Sequence, residues 1–104
     1  MKRACFLLEL REGTEERYDQ LHAQMDGEVR EAIREAGLRN YSLFRSGTMV
    51  IGYVEAEPDF ATSMASQVAS APFQKWAKGL EGGFTEISQG VARLVEVEEI
   101  WHAD

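Results

Sequence analysis

Tyr18 and His22 are the residues of this chain whose types and spacing are best suited to chemistry. A separation of four residues places both side chains on one face of a helix, one turn apart. Imidazole titrates near pH 6.5 when it is unperturbed, so a partly desolvated His22 could give and take a proton at neutral pH. A histidine on an inward face can equally be a core residue with one ring nitrogen bonded to a carbonyl, and the pattern alone leaves both interpretations open.

Three further side chains could join this pair in one pocket. Asn40 and Tyr41 stand at the start of a predicted strand, and Trp76 lies much further along the chain. Trp76 fits a core position as well as a site, because Phe73, Trp76 and Leu80 recur at helical spacing. Together these residues predict a pocket lined by aromatic rings and holding one or two proton carriers.

Other kinds of site find little support in the sequence. The chain has two histidines far apart and one cysteine, with no ligand pair at the usual metal spacing. No glycine-rich loop has the spacing that cradles phosphate, and a Ser-His-Asp triad has no stronger warrant. We therefore expect neither a metal nor a cofactor. Changing the anomer of a reducing sugar needs neither, because one group removes the anomeric hydroxyl proton while another protonates the ring oxygen.

The order and spacing of these residues resemble the L-rhamnose mutarotase family over the whole chain. The positions that carry the resemblance are Tyr18-x-x-x-His22, Glu28, Gly37, Asn40-Tyr41 and Gln74-Lys75-Trp76. The resemblance implies a sugar pocket lined by Tyr18, Tyr41 and Trp76 on a dimeric ferredoxin-like fold, with His22 as the proton donor.

The chain departs from that family pattern at two places. Met25-Asp26-Gly27-Glu28 stands where the family usually has Ile-Trp-Pro-Glu, and Ala77 stands where it usually has a second tryptophan. Two large aromatic surfaces are therefore missing, at Asp26 and Ala77. These two departures bear on which sugar is bound more than on which fold is formed.

Length and charge restrict the class of protein. The chain has 104 residues with a hydrophobic fraction of 44%, which predicts one domain over residues 1–104. Its formal charge of −7 argues against nucleic acid or an anionic membrane as a partner. Cys5 is the single cysteine and lies in an apolar run, so we expect a small buried hydrophobe. No apolar span or export signal is visible, which favours the cytoplasm.

The periodicities predict an order of strand, helix, strand, strand, helix, strand. The first half of the chain is predicted to form a strand over Ala4–Leu10, one long helix from Thr14 to Gly37, and strands over Asn40–Arg45 and Thr48–Ala56. A helix then begins at Glu57-Pro58-Asp59, with an apolar stripe of Phe60, Met64 and Val68. After it the sequence predicts a helix over Phe73–Leu80, a loop over Glu81–Gly90 that could form a rim or lid, and a strand over Val91–Trp101.

This order predicts a ferredoxin-like α+β fold, in which helices cover one face of a four-stranded antiparallel sheet. In the strand Thr48–Ala56, Val50 and Val54 share one face while Met49, Ile51 and Tyr53 share the other, so both faces carry apolar groups. The uncovered face predicts a homodimer packed sheet to sheet, the dimeric α+β barrel.

Three functions remain open at this stage. A mutarotase that interconverts the α and β anomers of a monosaccharide, L-rhamnose or a related deoxyhexose, is favoured by the resemblance and by the Tyr-His-Tyr-Trp set. A cofactor-independent or haem-dependent monooxygenase is the alternative, by analogy with other small dimeric ferredoxin-like proteins. A sugar-binding module without chemistry is the third.

Overall fold

A computed structural model describes residues 1–78 and 91–104 of the chain, with the backbone alone for residues 91–94. The elements are β1 (Lys2–Leu10), α1 (Glu15–Ala23), α2 (Gly27–Glu35), β2 (Leu38–Ser46), β3 (Met49–Ala56), α3 (Phe60–Ala69), α4 (Ala71–Lys78) and β4 (Val91–Val97). The predicted loop over Glu81–Gly90 and the predicted helix end at Leu80 lie outside the described residues.

The four strands form one antiparallel sheet in the order β2-β3-β1-β4, which confirms the ferredoxin-like prediction. Alternate residues of the central strand β1 point to the helices and are buried, namely Ala4, Phe6, Leu8 and Leu10. Gly52 of β3 pairs with Phe6, and a Cβ atom at this position would lie 2.2 Å from the Phe6 ring. Glycine at this point therefore allows the aromatic ring to lie directly over the neighbouring strand.

The prediction of one long helix from Thr14 to Gly37 is wrong, because α1 ends at Ala23 and α2 begins at Gly27. Asp26 is the reason for the separation, since its carboxylate accepts a hydrogen bond of 3.0 Å from the Val29 amide and caps α2. Gly27 then stands at a helix start, where its conformational cost is small. The break follows His22 by one residue, since α1 ends at Ala23.

The helix predicted to begin at Pro58 begins instead at Phe60. Asp59 is its N-cap and accepts a hydrogen bond of 2.8 Å from the Thr62 amide, which leaves Pro58 outside the helix. The inner face of α3 consists of Phe60, Ser63 and Gln67, whereas Met64 and Val68 are half-buried. The predicted stripe drifts from the buried face because four-residue steps outrun the 3.6-residue period.

A bulge in β2 changes which residues of this strand face the helices. Arg39 pairs with Glu55, but the next pair is Ser42 with Tyr53, so β2 carries one extra residue. Asn40 lies in this bulge with a φ of 49°, a left-handed conformation that asparagine tolerates. As a result Leu38 and Tyr41, which simple alternation would put on opposite faces, both pack against the core.

The face of the sheet opposite the helices carries apolar side chains that the described residues leave partly exposed. Leu7, Ile51 and Tyr53 are half-buried there, and Phe44 is 61% exposed. Cys5 also lies on this face and is half-buried, so the expectation of a buried cysteine is wrong for the single chain. The face of β3 that carries Val50 and Val54 is fully buried.

The chain leaves the sheet earlier than predicted, since β4 ends at Val97 rather than Trp101. The segment after it contacts the sheet through Arg3, which pairs with Glu99 and donates a hydrogen bond to the His102 ring over 2.6 Å. Ile100 and Trp101 are exposed. No helix in residues 1–78 is long and apolar enough to cross a membrane.

Candidate active site

A cavity of about 370 Å³ lies on the helix side of the sheet, where the break after α1 meets β2, α3 and α4. Its volume falls within the range of roughly 300 to 1,000 Å³ that is common for small-molecule sites. Its polar and aromatic lining consists of His22, Arg30, Tyr41, Gln67, Phe73 and Trp76, and the remaining lining is Met25, Ile33 and Leu43. Three of the four predicted site residues, His22, Tyr41 and Trp76, thus line one cavity.

The protonation of His22 follows from its hydrogen bond to the helix backbone. Nδ1 lies 2.8 Å from the carbonyl oxygen of Tyr18. Because a carbonyl can only accept, Nδ1 must carry the proton, and in the neutral ring Nε2 holds the lone pair. Desolvation by burial lowers the pKa of His22, and the Tyr18 carbonyl and the charge of Asp19 offset part of this effect. At neutral pH the imidazole is therefore a neutral base.

Two aromatic rings hold the imidazole from different sides. The ring centroid of Tyr18 is 4.3 Å from that of His22 with a tilt of 40°, and the ring of Trp76 stands nearly perpendicular at 4.9 Å. Tyr18 is only 6% exposed and lies behind His22 rather than in the cavity lining. The contacts of Tyr18 thus orient the histidine, while Trp76 borders the space that a ligand would occupy.

The indole N–H of Trp76 is engaged within the protein. Nε1 donates a hydrogen bond of 3.2 Å to the carbonyl oxygen of Leu21, next to His22 in the chain. This bond ties α4 to the last turn of α1. What Trp76 offers a ligand is therefore the face of its ring.

Tyr41 reaches the cavity because of the bulge in β2. Its ring packs edge-on against Phe6 at 6.3 Å, and its hydroxyl contacts the Met64 sulfur, a weak acceptor, at 4.0 Å. Desolvation by burial raises the pKa of Tyr41 to about 12. The hydroxyl is therefore protonated at neutral pH and can donate. Asn40 turns away from the cavity and donates to a Glu55 carboxylate oxygen over 2.9 Å.

An ion pair connects α1 to β2 beside the site. The Arg45 guanidinium donates to both carboxylate oxygens of Asp19, with Nε 2.8 Å and Nη2 2.6 Å from them. This paired hydrogen bond lowers the pKa of Asp19. Asp19 follows Tyr18 directly, so this two-point contact joins β2 to the helix that carries His22.

Two polar residues of the cavity, Arg30 and Gln67, were not predicted from the sequence. Arg30 belongs to α2, and its side chain is exposed and lines the cavity. Gln67 is only 5% exposed, and its Oε1 atom has no hydrogen-bond partner among the residues that the structure describes. The available signal was its place on α3, seven residues after the buried Phe60, on the same face of the helix.

No group of three histidine, cysteine, aspartate or glutamate side chains that could hold a metal ion occurs in the described part of the chain. The fold and the cavity thus define a ferredoxin-like α+β protein with a cavity of small-molecule size, lined by one histidine and several aromatic rings. The family model of L-rhamnose mutarotase matches residues 3–103. The chain belongs to the L-rhamnose mutarotase family, a family of isomerase-type enzymes.

Solved structures resemble the whole fold. An L-rhamnose mutarotase from Formosa agariphila aligns over 100% of both chains with a TM-score of 0.72 and 16% identity. Tetracenomycin F2 cyclase from Streptomyces glaucescens aligns over 100% of both chains with a TM-score of 0.60 and 22% identity. A protein described as an antibiotic biosynthesis monooxygenase from Nitrosomonas europaea covers 97% of this chain and 100% of its own, with a TM-score of 0.57 and 14% identity.

At these identities the likenesses establish the fold alone. No match was found among curated protein sequences. The two positions where the chain departs from the family pattern have structural surroundings of their own. Asp26 caps α2, as described above, and Ala77 is buried in α4.

Proposed function

We propose that this protein is a mutarotase that interconverts the α and β anomers of L-rhamnose or a related deoxyhexose by general acid–base catalysis. The observation that carries the proposal is the hydrogen bond between His22 Nδ1 and the Tyr18 carbonyl. It leaves Nε2 as a proton acceptor at a cavity of suitable size, in a chain that belongs to the L-rhamnose mutarotase family.

In the proposed ring-opening step, Nε2 of His22 takes the proton of the anomeric hydroxyl. The bond between the anomeric carbon and the ring oxygen breaks, and the Tyr41 hydroxyl gives its proton to that ring oxygen. The product is the open-chain aldehyde, with the anomeric oxygen as its carbonyl. Rotation about the adjacent C–C bond presents the other face of the carbonyl, and closure reverses both proton transfers. The same histidine is therefore the base in opening and the acid in closure.

The remaining groups bind and orient. Trp76 and Phe73 offer ring faces at the cavity, against which the C–H groups of a sugar can pack. Tyr18 acts through His22, because its carbonyl holds Nδ1 and its ring supports the imidazole from behind. In this proposal Tyr18 positions His22 and does not contact the sugar.

We further propose that the protein is a homodimer in the cytoplasm. The apolar face of the sheet, with Leu7, Ile51 and the largely exposed Phe44, supports a second copy as its cover. A lone half-buried thiol at Cys5 fits a reducing compartment.

Saturation-transfer NMR tests the function directly. We expect faster exchange between anomer signals for at least one sugar in a survey of L-rhamnose, other deoxyhexoses and common hexoses. Exchange at the buffer rate for every sugar would contradict the proposal, and sugar binding without exchange would assign the protein to the class of binding modules.

A further inference from the structure

Gln67 differs from the other buried polar residue on its helix. Ser63 is fully buried, and its hydroxyl donates a hydrogen bond of 3.1 Å to the Glu57 carbonyl. Gln67 is almost as deeply buried, yet its Oε1 accepts no hydrogen bond from the residues that the structure describes. The large majority of buried side-chain polar atoms in proteins have a partner. An unpartnered amide oxygen therefore requires an explanation.

The side chain lies where a ligand could supply the missing donor. Gln67 lines the same cavity as His22, Tyr41 and Trp76. The nearby Ser70 hydroxyl donates to the main-chain carbonyl of Gln67 over 2.8 Å and is not available to the amide. The aliphatic part of the lining, Ile33 and Leu43, carries no side-chain donor at all.

We propose that Gln67 is a specificity-determining residue, whose Oε1 accepts a hydrogen bond from one hydroxyl group of the bound sugar. This inference rests on the proposed function and adds to it the group that selects among sugars. An amide oxygen selects a donor, so the ligand must present a hydroxyl at this point of the ring. An apolar wall discriminates weakly between related substrates, whereas a buried polar group left unpaired rejects the analogue that lacks its partner.

The test compares one change in the protein with one change in the sugar. The variant is Gln67→Met, which keeps the length of the side chain and removes the amide. The sugars are L-rhamnose and its derivatives that each lack a single hydroxyl other than the anomeric one. The matched control is Gln20→Met, because Gln20 is exposed on α1. Anomer exchange gives kcat/KM, and quenching of tryptophan fluorescence gives the dissociation constant of each sugar.

We expect the wild-type protein to lose about 10- to 100-fold in kcat/KM on one deoxy derivative. Gln67→Met should lose a similar factor on L-rhamnose and should no longer distinguish L-rhamnose from that derivative. Gln20→Met should behave like the wild type. The thermal transition of Gln67→Met should stay unchanged or rise, because an unpaired buried acceptor is replaced by an apolar group of similar shape.

The proposal is overturned if Gln67→Met distinguishes the sugars as the wild type does, or if it melts early while its kcat/KM stays unchanged. Gln67→Leu serves as the second variant if Gln67→Met does not fold, with the same criteria. If the wild-type protein exchanges anomers but loses no activity on any deoxy derivative, the role of Gln67 is contradicted and the proposed function is not. If the wild-type protein binds the sugars without exchanging their anomers, the proposed function is contradicted. The role of Gln67 is then decided by whether Gln67→Met removes the difference in dissociation constant between L-rhamnose and one deoxy derivative. Absence of any sugar binding overturns both.

Discussion

His22 Nδ1 and the Tyr18 carbonyl oxygen lie 2.8 Å apart, one helical turn from each other, and this contact fixes the tautomer of the imidazole. The Tyr18 carbonyl is also the acceptor for the helical amide four residues later, so it does not depend on the side chain for a partner. The bond therefore orients the His22 ring more than it stabilises the helix.

Replacement of His22 should separate catalysis from stability. We expect His22→Ala to lower the rate of anomer exchange by about 10²-fold or more, the usual scale for a positioned acid or base. The thermal transition should change little, because no buried acceptor loses its only partner. Saturation-transfer NMR and calorimetry measure the two quantities. A variant that melts early yet exchanges anomers at the parent rate would end the catalytic assignment.

The lowered pKa of His22 predicts the pH dependence of the reaction. Burial favours the neutral ring, so the base form persists below the ordinary value of about 6.5. The acidic limb of kcat/KM, corrected for the buffer rate, should have an apparent pKa below 6.5. His22→Ala should lose this limb, and a wild-type limb above 6.5 would contradict the assignment.

The same shift affects stability with a definite sign. As the pH falls below about 6.5, the histidine of the unfolded chain takes up a proton before the folded one does, so the free energy of unfolding decreases. Above this pH both states are neutral and His22 contributes no pH dependence. Chemical denaturation at several pH values, compared between the wild type and His22→Ala, checks this contribution.

Tyr41 should act mainly on the chemical step. Tyr41→Phe keeps the ring that packs against Phe6 and removes the hydroxyl that we propose as the proton donor to the ring oxygen. We expect a fall in kcat of about 10²-fold, with a smaller change in KM. A change confined to KM would assign Tyr41 to binding alone, and Tyr53→Phe, on the other face of the sheet, is the control.

A side chain at Gly52 should lower the stability of the protein. The added Cβ atom of Gly52→Ala would meet the Phe6 ring at 2.2 Å, and overpacking of this kind costs typically about 1 to 3 kcal/mol. Gly27→Ala is the matched control, because a Cβ atom there meets no atom within 4 Å at the start of α2. Urea denaturation of both variants measures the difference. Equal stability of the two variants would contradict the close packing of Phe6 on β3.

The proposed dimer has a simple test by light scattering at micromolar concentration. We expect twice the chain mass of 11.7 kDa for the wild type. Leu7→Glu should give the monomer, because it places a charge in the centre of the apolar sheet face. Glu12→Gln, at an exposed turn, is the control. A wild-type mass of 11.7 kDa would contradict the proposal.

Local patterns were sufficient for the order of the four strands and for the pairing of Tyr18 with His22 on one helix, but not for every helix boundary. The alternation in β1 and the spacing of four residues in α1 depend on neighbours in the chain, and such periodicities are visible in any sequence. The break between α1 and α2 was missed, because the cap at Asp26 competes with a continuous helical pattern that the sequence also allows.

Only the tertiary structure decided which side chains meet at the cavity. The bulge at Asn40 turns Tyr41 towards the core, and a bulge depends on the pairing of β2 with β3. Trp76 reaches the Leu21 carbonyl across 55 residues, a contact that depends on the packing of α4 against α2 and α3. The packing of α3 buries Gln67 and leaves its Oε1 without a hydrogen-bond partner among the described residues. Contacts between distant elements follow from how the helices sit on the sheet, and no local periodicity encodes that arrangement.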